Sequence, residues 1–245
     1  MSGEPGLVTL HVWRVPRRAL PRALTRMAVD PRRLRRLPGV RFGKLLGTGT
    51  GTGFGPTDVD PTRWAALIAW DDATTAADFD ETAVGRAWRR IATAGARLDL
   101  RPLASRGRWA GIEPFGAPTG GPTQRPVLAL TRARLRARRA PTFWRAVPPV
   151  AAALHAAPGL LARFGVGEAP IGWQGTVSVW RTASDLARFA YRQPEHRAAI
   201  ARTPTERWYA EELFARFEVR DVAGDRAVLG WVGRDGGWGA TVGRT

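Results

Sequence analysis

Hydrophobic and polar positions along this chain repeat one order of elements twice. The first copy opens with Leu7 to Val15 (LVTLHVWRV), whose alternation predicts a strand, followed by a helix from Pro21 to Val29. Arg41-Phe42-Gly43 and a glycine-rich loop lead to a strand at Trp64 to Trp70. From about Thr75 to Ala94, Phe79, Ala83, Ala87, Trp88 and Ile91 fall along one face of a predicted helix, and a strand near Ala96 to Leu103 closes the unit. The second copy begins with a strand at Pro126 to Leu135 and a helix at Thr142 to Ala157. Arg163-Phe164-Gly165, a strand at Trp173 to Trp180 and a helix capped by Ser184 follow.

Two internal matches support the repeat. Arg-Phe-Gly recurs at 41 and 163, and Trp70 precedes Phe79 by the same interval as Trp180 precedes Phe189. Each half reads strand, helix, strand, strand, helix, strand, which is the ferredoxin-like order. The expected fold class is α+β: tandem ferredoxin-like repeats forming a sheet-on-sheet pair with helices outside. The divisions read as residues 1–112, a Pro- and Gly-rich linker at 113–125, a second repeat at 126–230 and a disordered tail at 231–245. The second half has room for an extra helix, expected near Thr205 to Phe214, ahead of a strand near Arg216 to Val222.

Composition narrows the chemistry. The chain has 245 residues, is 44% hydrophobic and carries eleven Trp, enough for a packed core. With no Cys it has no thiolate-ligated haem, cysteine-bound iron–sulfur cluster, disulfide or cysteine nucleophile. No run approaches the roughly 18 apolar residues of a spanning helix, and no signal peptide is read, so a cytoplasmic protein is expected, with peripheral contact at the inner face of the membrane open to it. The net charge of +17 is almost all Arg, with Lys44 the single lysine. Such a charge suits anionic lipid, an anionic cofactor or nucleic acid, or reflects a genomic bias toward Arg; the basic runs Arg32–Arg36 and Arg132–Arg139 lack the interleaved aromatics of a single-strand platform.

Gly47 to Gly55 (GTGTGTGFG) lacks the spacing of a dinucleotide fingerprint or a P-loop; it reads as a surface loop or irregular strand pair, or else as a loop over a ligand. There is no Gly-x-Ser-x-Gly elbow and no HExxH. That leaves single-histidine chemistry in Phe189 to Phe217. His196, beside Arg192 and Arg197, suits haem: one protein ligand suffices, arginines answer the propionates, and Phe189, Trp208, Phe214 and Phe217 offer apolar walls. On one continuous helix His196 shares a face with Phe189, Arg192 and Ile200, unless Pro194 breaks it. The competing reading is structural, since a lone His at helical spacing is more often a surface or core residue. Trp208 and Tyr209 read first as core, and Glu206, Glu211 and Glu212 as helix-surface partners of Arg207 and Arg216. His155 reads as a helix C-terminal residue and His11 as structural.

Several segments together resemble the spheroidene monooxygenase family: FGKLLGTGTGTGFGPTDVD with RWAALIAWDD, GRWAGIEPF, PVLALTRARLRARRAPTFWRAVPPV, GVGEAPIGWQGTVSVW and FAYRQPEHRAAIARTPTERWYAEELFARF. The resemblance runs from about residue 7 to 222. It implies a haem b-dependent monooxygenase that introduces a hydroxyl and then a ketone at C-2 of acyclic carotenoids. Molecular oxygen is the oxidant, electrons come from a ferredoxin-type donor, and the fold is a dimeric α+β barrel. It also implies His196 as axial ligand, with Arg192 or Arg197 at a propionate and Trp208 near the cofactor. Other enzymes of that fold, such as a haem-dependent dehydratase or a cofactor-free oxygenase, and a basic membrane- or nucleic-acid-binding module, remain as alternatives.

Overall fold

The computed structural model describes residues 6–51, 58–116, 120–168 and 173–231. In the first half β1 (Leu7–Arg14) leads into α1 (Leu20–Leu34), β2 (Val40–Gly49), β3 (Val59–Trp70), α2 (Ala73–Ala77), α3 (Ala83–Ile91) and β4 (Ala94–Gly107). The second half contains β5 (Val127–Leu135), α4 (Ala140–His155), β6 (Leu160–Gly167), β7 (Trp173–Trp180), α5 (Ala183–Arg192), α6 (Pro194–Glu206) and β8 (Tyr209–Gly224).

The sheets do more than stack. All eight strands close into an antiparallel barrel in the order β1-β3-β2-β6-β7-β5-β8-β4. Each half contributes a ferredoxin-like run of four, and the halves join where β4 pairs with β8 and β2 with β6. Closure leaves no free edge among the described strands. Period-2 alternation then sends one set of side chains inward and the other outward beneath the helices. Val8, Leu10 and Val12 of β1 join Leu128 and Leu130 of β5 and Leu213, Ala215 and Phe217 of β8 in the inner core. Trp109 and Phe115, from the crossover between the halves, are fully buried there and pack edge-on against Phe42.

Four expectations are corrected. The helix expected over 75–94 is two helices separated by a 3-10 turn at Asp78–Glu81, because the Thr82 hydroxyl accepts from Gly85 N–H and starts α3 afresh. The cap of α5 is Thr182 rather than Ser184. The helix expected as an addition near Thr205 to Phe214 is α6 at Pro194–Glu206, which follows α5 as α3 follows α2, and residues 209–214 belong to β8, where the alternation of Leu213, Ala215, Phe217 and Val219 faces the core. The two Arg-Phe-Gly triplets do not correspond: Phe42 pairs with Ala69 but Phe164 with Val177, and with Trp70 and Trp180 as equivalent anchors they are two positions out of step. Because two positions preserve the face, both phenylalanines still point into the barrel. The Trp–Phe match holds, with Trp70 against Phe79 at 6.0 Å and Trp180 against Phe189 at 5.3 Å between ring centroids. Residues 52–57 of the glycine run and the tail beyond Trp231 lie outside the described residues.

Candidate functional site

The outer face of the barrel is treated differently in the two halves. Leu7 pairs with Trp70 and Val127 with Trp180, so positions of β1 and β5 correspond one to one. In the first half the face carries His11, Trp13, Leu45, Trp64 and Ile68, and α3 closes over it with Trp88. Trp13 stacks on Trp88 at 5.1 Å, and His11 lies 4.3 Å from Phe79. Burial, with the nearby charge of Arg97, lowers the His11 pKa to about 3, so the ring stays neutral in this core.

At the positions corresponding to His11, Trp13, Leu45 and Ile68 the second half has Thr131, Ala133, Gly165 and Ser178. Large side chains are replaced by small ones while the strand spacing is unchanged, and the volume they would fill is left open. The result is a cavity of about 1240 Å³ between this face and α4, α5 and α6. The lining side of α4 carries Phe143, Val147, Val150 and Leu154, at the three- and four-residue steps of one helical face. α5 contributes Leu186, Phe189 and Ala190. α6, which stands between α5 and β8 as α3 stands between α2 and β4, contributes Arg197 and Ala201.

The polar groups on the wall are few. Arg216 and Glu212 project from β8, and Arg106 of β4 lies over the Phe214 ring at 4.7 Å. At one edge Glu168 belongs both to the cavity wall and to an ion-pair network inside the barrel end. It accepts from Lys44 Nζ at 2.6 Å, Trp109 Nε1 at 2.7 Å and Arg132 Nη2 at 2.9 Å. Arg132 also donates to Glu211, which accepts from the backbone N–H groups of Ala110 and Gly111. Burial pushes the Glu211 carboxyl up, but these donors together outweigh it and hold the group below the ordinary carboxylate range.

Trp208 is 1% exposed, forms part of the wall, and is tied to α4 by Nε1–H donating to Thr142 Oγ1 at 3.0 Å and by Phe143 at 5.7 Å. Arg197 and Arg192 are both exposed; Arg197 lines the cavity, whereas the described wall does not include Arg192, at the end of α5. Pro194 opens a new helix, so Phe189 and Arg192 do not share a continuous helical face with His196. His196 falls in α6, one residue before Arg197; its side chain lies outside the described residues. Phe214 lines the cavity, but Phe217 points the other way, into the barrel core. Among the carboxylates, Glu206 pairs with Arg202 on α6, while Glu211 belongs to the barrel network rather than a helix surface. His155 ends α4 as expected. Gly47 and Gly49 end β2 and also line the cavity, so the start of the glycine run is strand and wall at once. The sequence reading missed Ala133, Thr131 and Ser178, whose signal is their smallness opposite Trp13, His11 and Ile68.

Two comparisons bear on this arrangement. A spheroidene monooxygenase of Rhodobacter capsulatus is 34% identical over 220 residues, covering 89% of this chain and 89% of that protein. One from Cereibacter sphaeroides is 33% identical over 201 residues, covering 81% of this chain and 60% of that protein. Among solved structures, an aldoxime dehydratase in complex with butyraldoxime aligns with a TM-score of 0.54 over 87% of this chain and 79% of that one; at 10% identity this shows a shared fold alone. No protein-family profile matches the chain.

Proposed function

This chain belongs to the spheroidene monooxygenase family, and on that premise we propose that it is a haem-dependent monooxygenase that introduces hydroxyl and keto groups at C-2 of acyclic carotenoids, using O2 and electrons from a ferredoxin-type donor. The observation that carries the haem reading is the hollow of the second half. At about 1240 Å³ it exceeds the ~300–1,000 Å³ of ordinary small-molecule pockets, is walled chiefly by apolar side chains, and is bounded by α6, whose counterpart α3 packs directly on this face in the first half.

The residues present fit such a group. The flat outer face at Ala133, Thr131 and Ser178 leaves space for a planar macrocycle where the first half holds Trp13 and its neighbours. In this reading His196 of α6 would hold the haem iron through a neutral imidazole. Arg197 and Arg216 are cations on the wall that suit the propionates, through charge-assisted hydrogen bonds. Arg192, off the described wall, serves the cofactor less well. Bound haem supplies the iron at which O2 is used. The chain's own part is to hold and shield: Trp208 and Phe143 form a fixed wall between α4 and β8, and the apolar face of α4 excludes water from the reacting bond. Among the described residues no helix is long and apolar enough to cross a membrane. The charge of +17 would instead hold the protein peripherally against anionic lipid, where a carotenoid substrate dissolves.

The test is turnover of an acyclic carotenoid under 18O2 with a reduced ferredoxin and haem-loaded protein. Label in a C-2 hydroxyl or ketone is expected. Products labelled at another carbon would overturn the C-2 assignment, and unlabelled or absent product the monooxygenase reading.

A further inference from the structure

The cavity does not stop at the second half. Its lining continues across the seam between β2 and β6 to the first half, where it includes Leu24 and Met27 of α1 and Val59 at the start of β3. Along that seam Gly47 pairs with Gly167 and Gly49 with Gly165, and all four line the cavity. Facing glycines on adjacent strands leave a strip of backbone bare of side chains on the outer face, open at Gly47 and filled at Gly49 by the Asp58 carbonyl, 2.5 Å from where a Cβ would stand. At Gly47 the strand itself does not demand glycine. Its φ is not among the positive values of the chain, and a Cβ there would stand 3.8 Å from the Gly167 carbonyl oxygen and 3.9 Å from Trp64 Cζ3, which are ordinary contacts. Trp64, itself 8% exposed, borders the strip and separates it from the filled core of the first half. At the far end Leu24 is 60% exposed and Val59 51%, large apolar groups held in the open at the rim of the same cavity.

We infer that this limb is the subsite for the elongated apolar part of the substrate. An acyclic polyene lies along the glycine strip, with its reacting end under α5 and α6 and its length running toward Leu24 and Met27. The inference rests on the proposed reading of the cavity as the site of a carotenoid oxygenase. A rod-like hydrocarbon offers no hydrogen-bonding groups, so shape and burial alone can recognise it. The open backbone at Gly47 and Gly167 with Leu24, Met27 and Val59 at its end supplies both, the neighbouring Asp58 carboxylate being held by the Thr50 hydroxyl and the Gly51 N–H. Gly47, Leu24 and Met27 are then specificity-determining residues for chain length, on the half of the barrel that does not carry α6.

Two variants test this without disturbing α6. Gly47→Val suits a strand and has room for its Cβ, but its methyl groups enter the strip. Leu24→Gln alters only an exposed side chain on α1. Haem-loaded wild type and variants are titrated with lycopene in detergent and with a shorter polyene, binding being read from the circular dichroism induced in the achiral polyene. Haem uptake is read separately from the absorption spectrum. Haem per chain is expected to be unchanged in both variants. Lycopene affinity is expected to fall about tenfold or more in Gly47→Val and several-fold in Leu24→Gln, while the shorter polyene binds all three proteins alike. Unchanged lycopene affinity in both variants, or no induced signal in the wild type, overturns the subsite. A wild type that binds lycopene with this dependence but takes up no haem upholds the subsite and overturns the haem reading instead.

Discussion

Replacing Ala133 with Leu and Trp13 with Ala perturbs the same pseudo-equivalent position in opposite senses, once in each half. Trp13 is 4% exposed and packs against Trp88, Phe79 and His11, so Trp13→Ala removes a large ring from a filled core. A loss of about 3–5 kcal/mol is expected from such truncations. Ala133 faces the open cavity, so the three carbons added in Ala133→Leu enter vacant space. At ~0.8 kcal/mol per buried methylene the change is expected to lie between about zero and a gain of 2 kcal/mol. Urea unfolding of haem-free protein, followed by tryptophan fluorescence and far-ultraviolet circular dichroism, measures both. The same Ala133→Leu protein should take up haem more weakly than wild type, because the added side chain occupies the macrocycle's space. If Ala133→Leu were destabilising by the roughly 1–3 kcal/mol typical of overpacking, the second half would be as tightly packed as the first and the hollow would not exist.

Two further outcomes follow from the electrostatics. The folded pKa of His11 is near 3 against 6.5 for the free group, so between these values the unfolded chain binds a proton that the folded chain refuses. Stability therefore falls on acidification, by roughly 1.4 kcal/mol per pH unit or about 2 kcal/mol from pH 6.5 to 5, and His11→Phe should flatten urea-derived stability across that window; an equally steep slope would contradict the assignment. In the barrel network, Glu211→Gln weakens the acceptor that Arg132, Ala110 and Gly111 share and should cost about 1–3 kcal/mol. The exposed Arg202–Glu206 pair supplies the control, with Glu206→Gln expected to change stability by at most ~0.5 kcal/mol in the same unfolding assay.

The strands were legible where apolar runs are strong, as at Leu7 to Val15 and Trp64 to Trp70, and the Trp–Phe interval correctly matched β3 and the turn after α2 with β7 and α5. Barrel closure was less so, because it depends on pairings between residues such as Gly47 and Gly167 that no local pattern announces. Residues 209–214 were misread because Glu-Glu-Leu-Phe-Ala has helix-forming composition, while the alternation that makes it a strand emerges only through Val219. Thr82 restarts α3 by a hydroxyl–backbone bond that helical periodicity does not register. The cavity was the least visible feature: Thr131, Ala133 and Ser178 look ordinary in their strands and acquire meaning only when the register sets them against His11, Trp13 and Ile68. The network of Lys44, Glu168, Arg132 and Glu211 was hidden for the same reason, its members being brought together from β2, β5, β8 and the end of β6.

The central claim is that the hollow of the second half holds haem through α6. An absorption spectrum of the purified protein with added haem tests it directly, read alongside His196→Ala and His155→Ala. The account predicts a Soret band at one haem per chain, unchanged in His155→Ala and lost or strongly shifted in His196→Ala. A protein that stays colourless after haem is supplied would contradict it, and a band indifferent to His196 would transfer the ligand role to another residue.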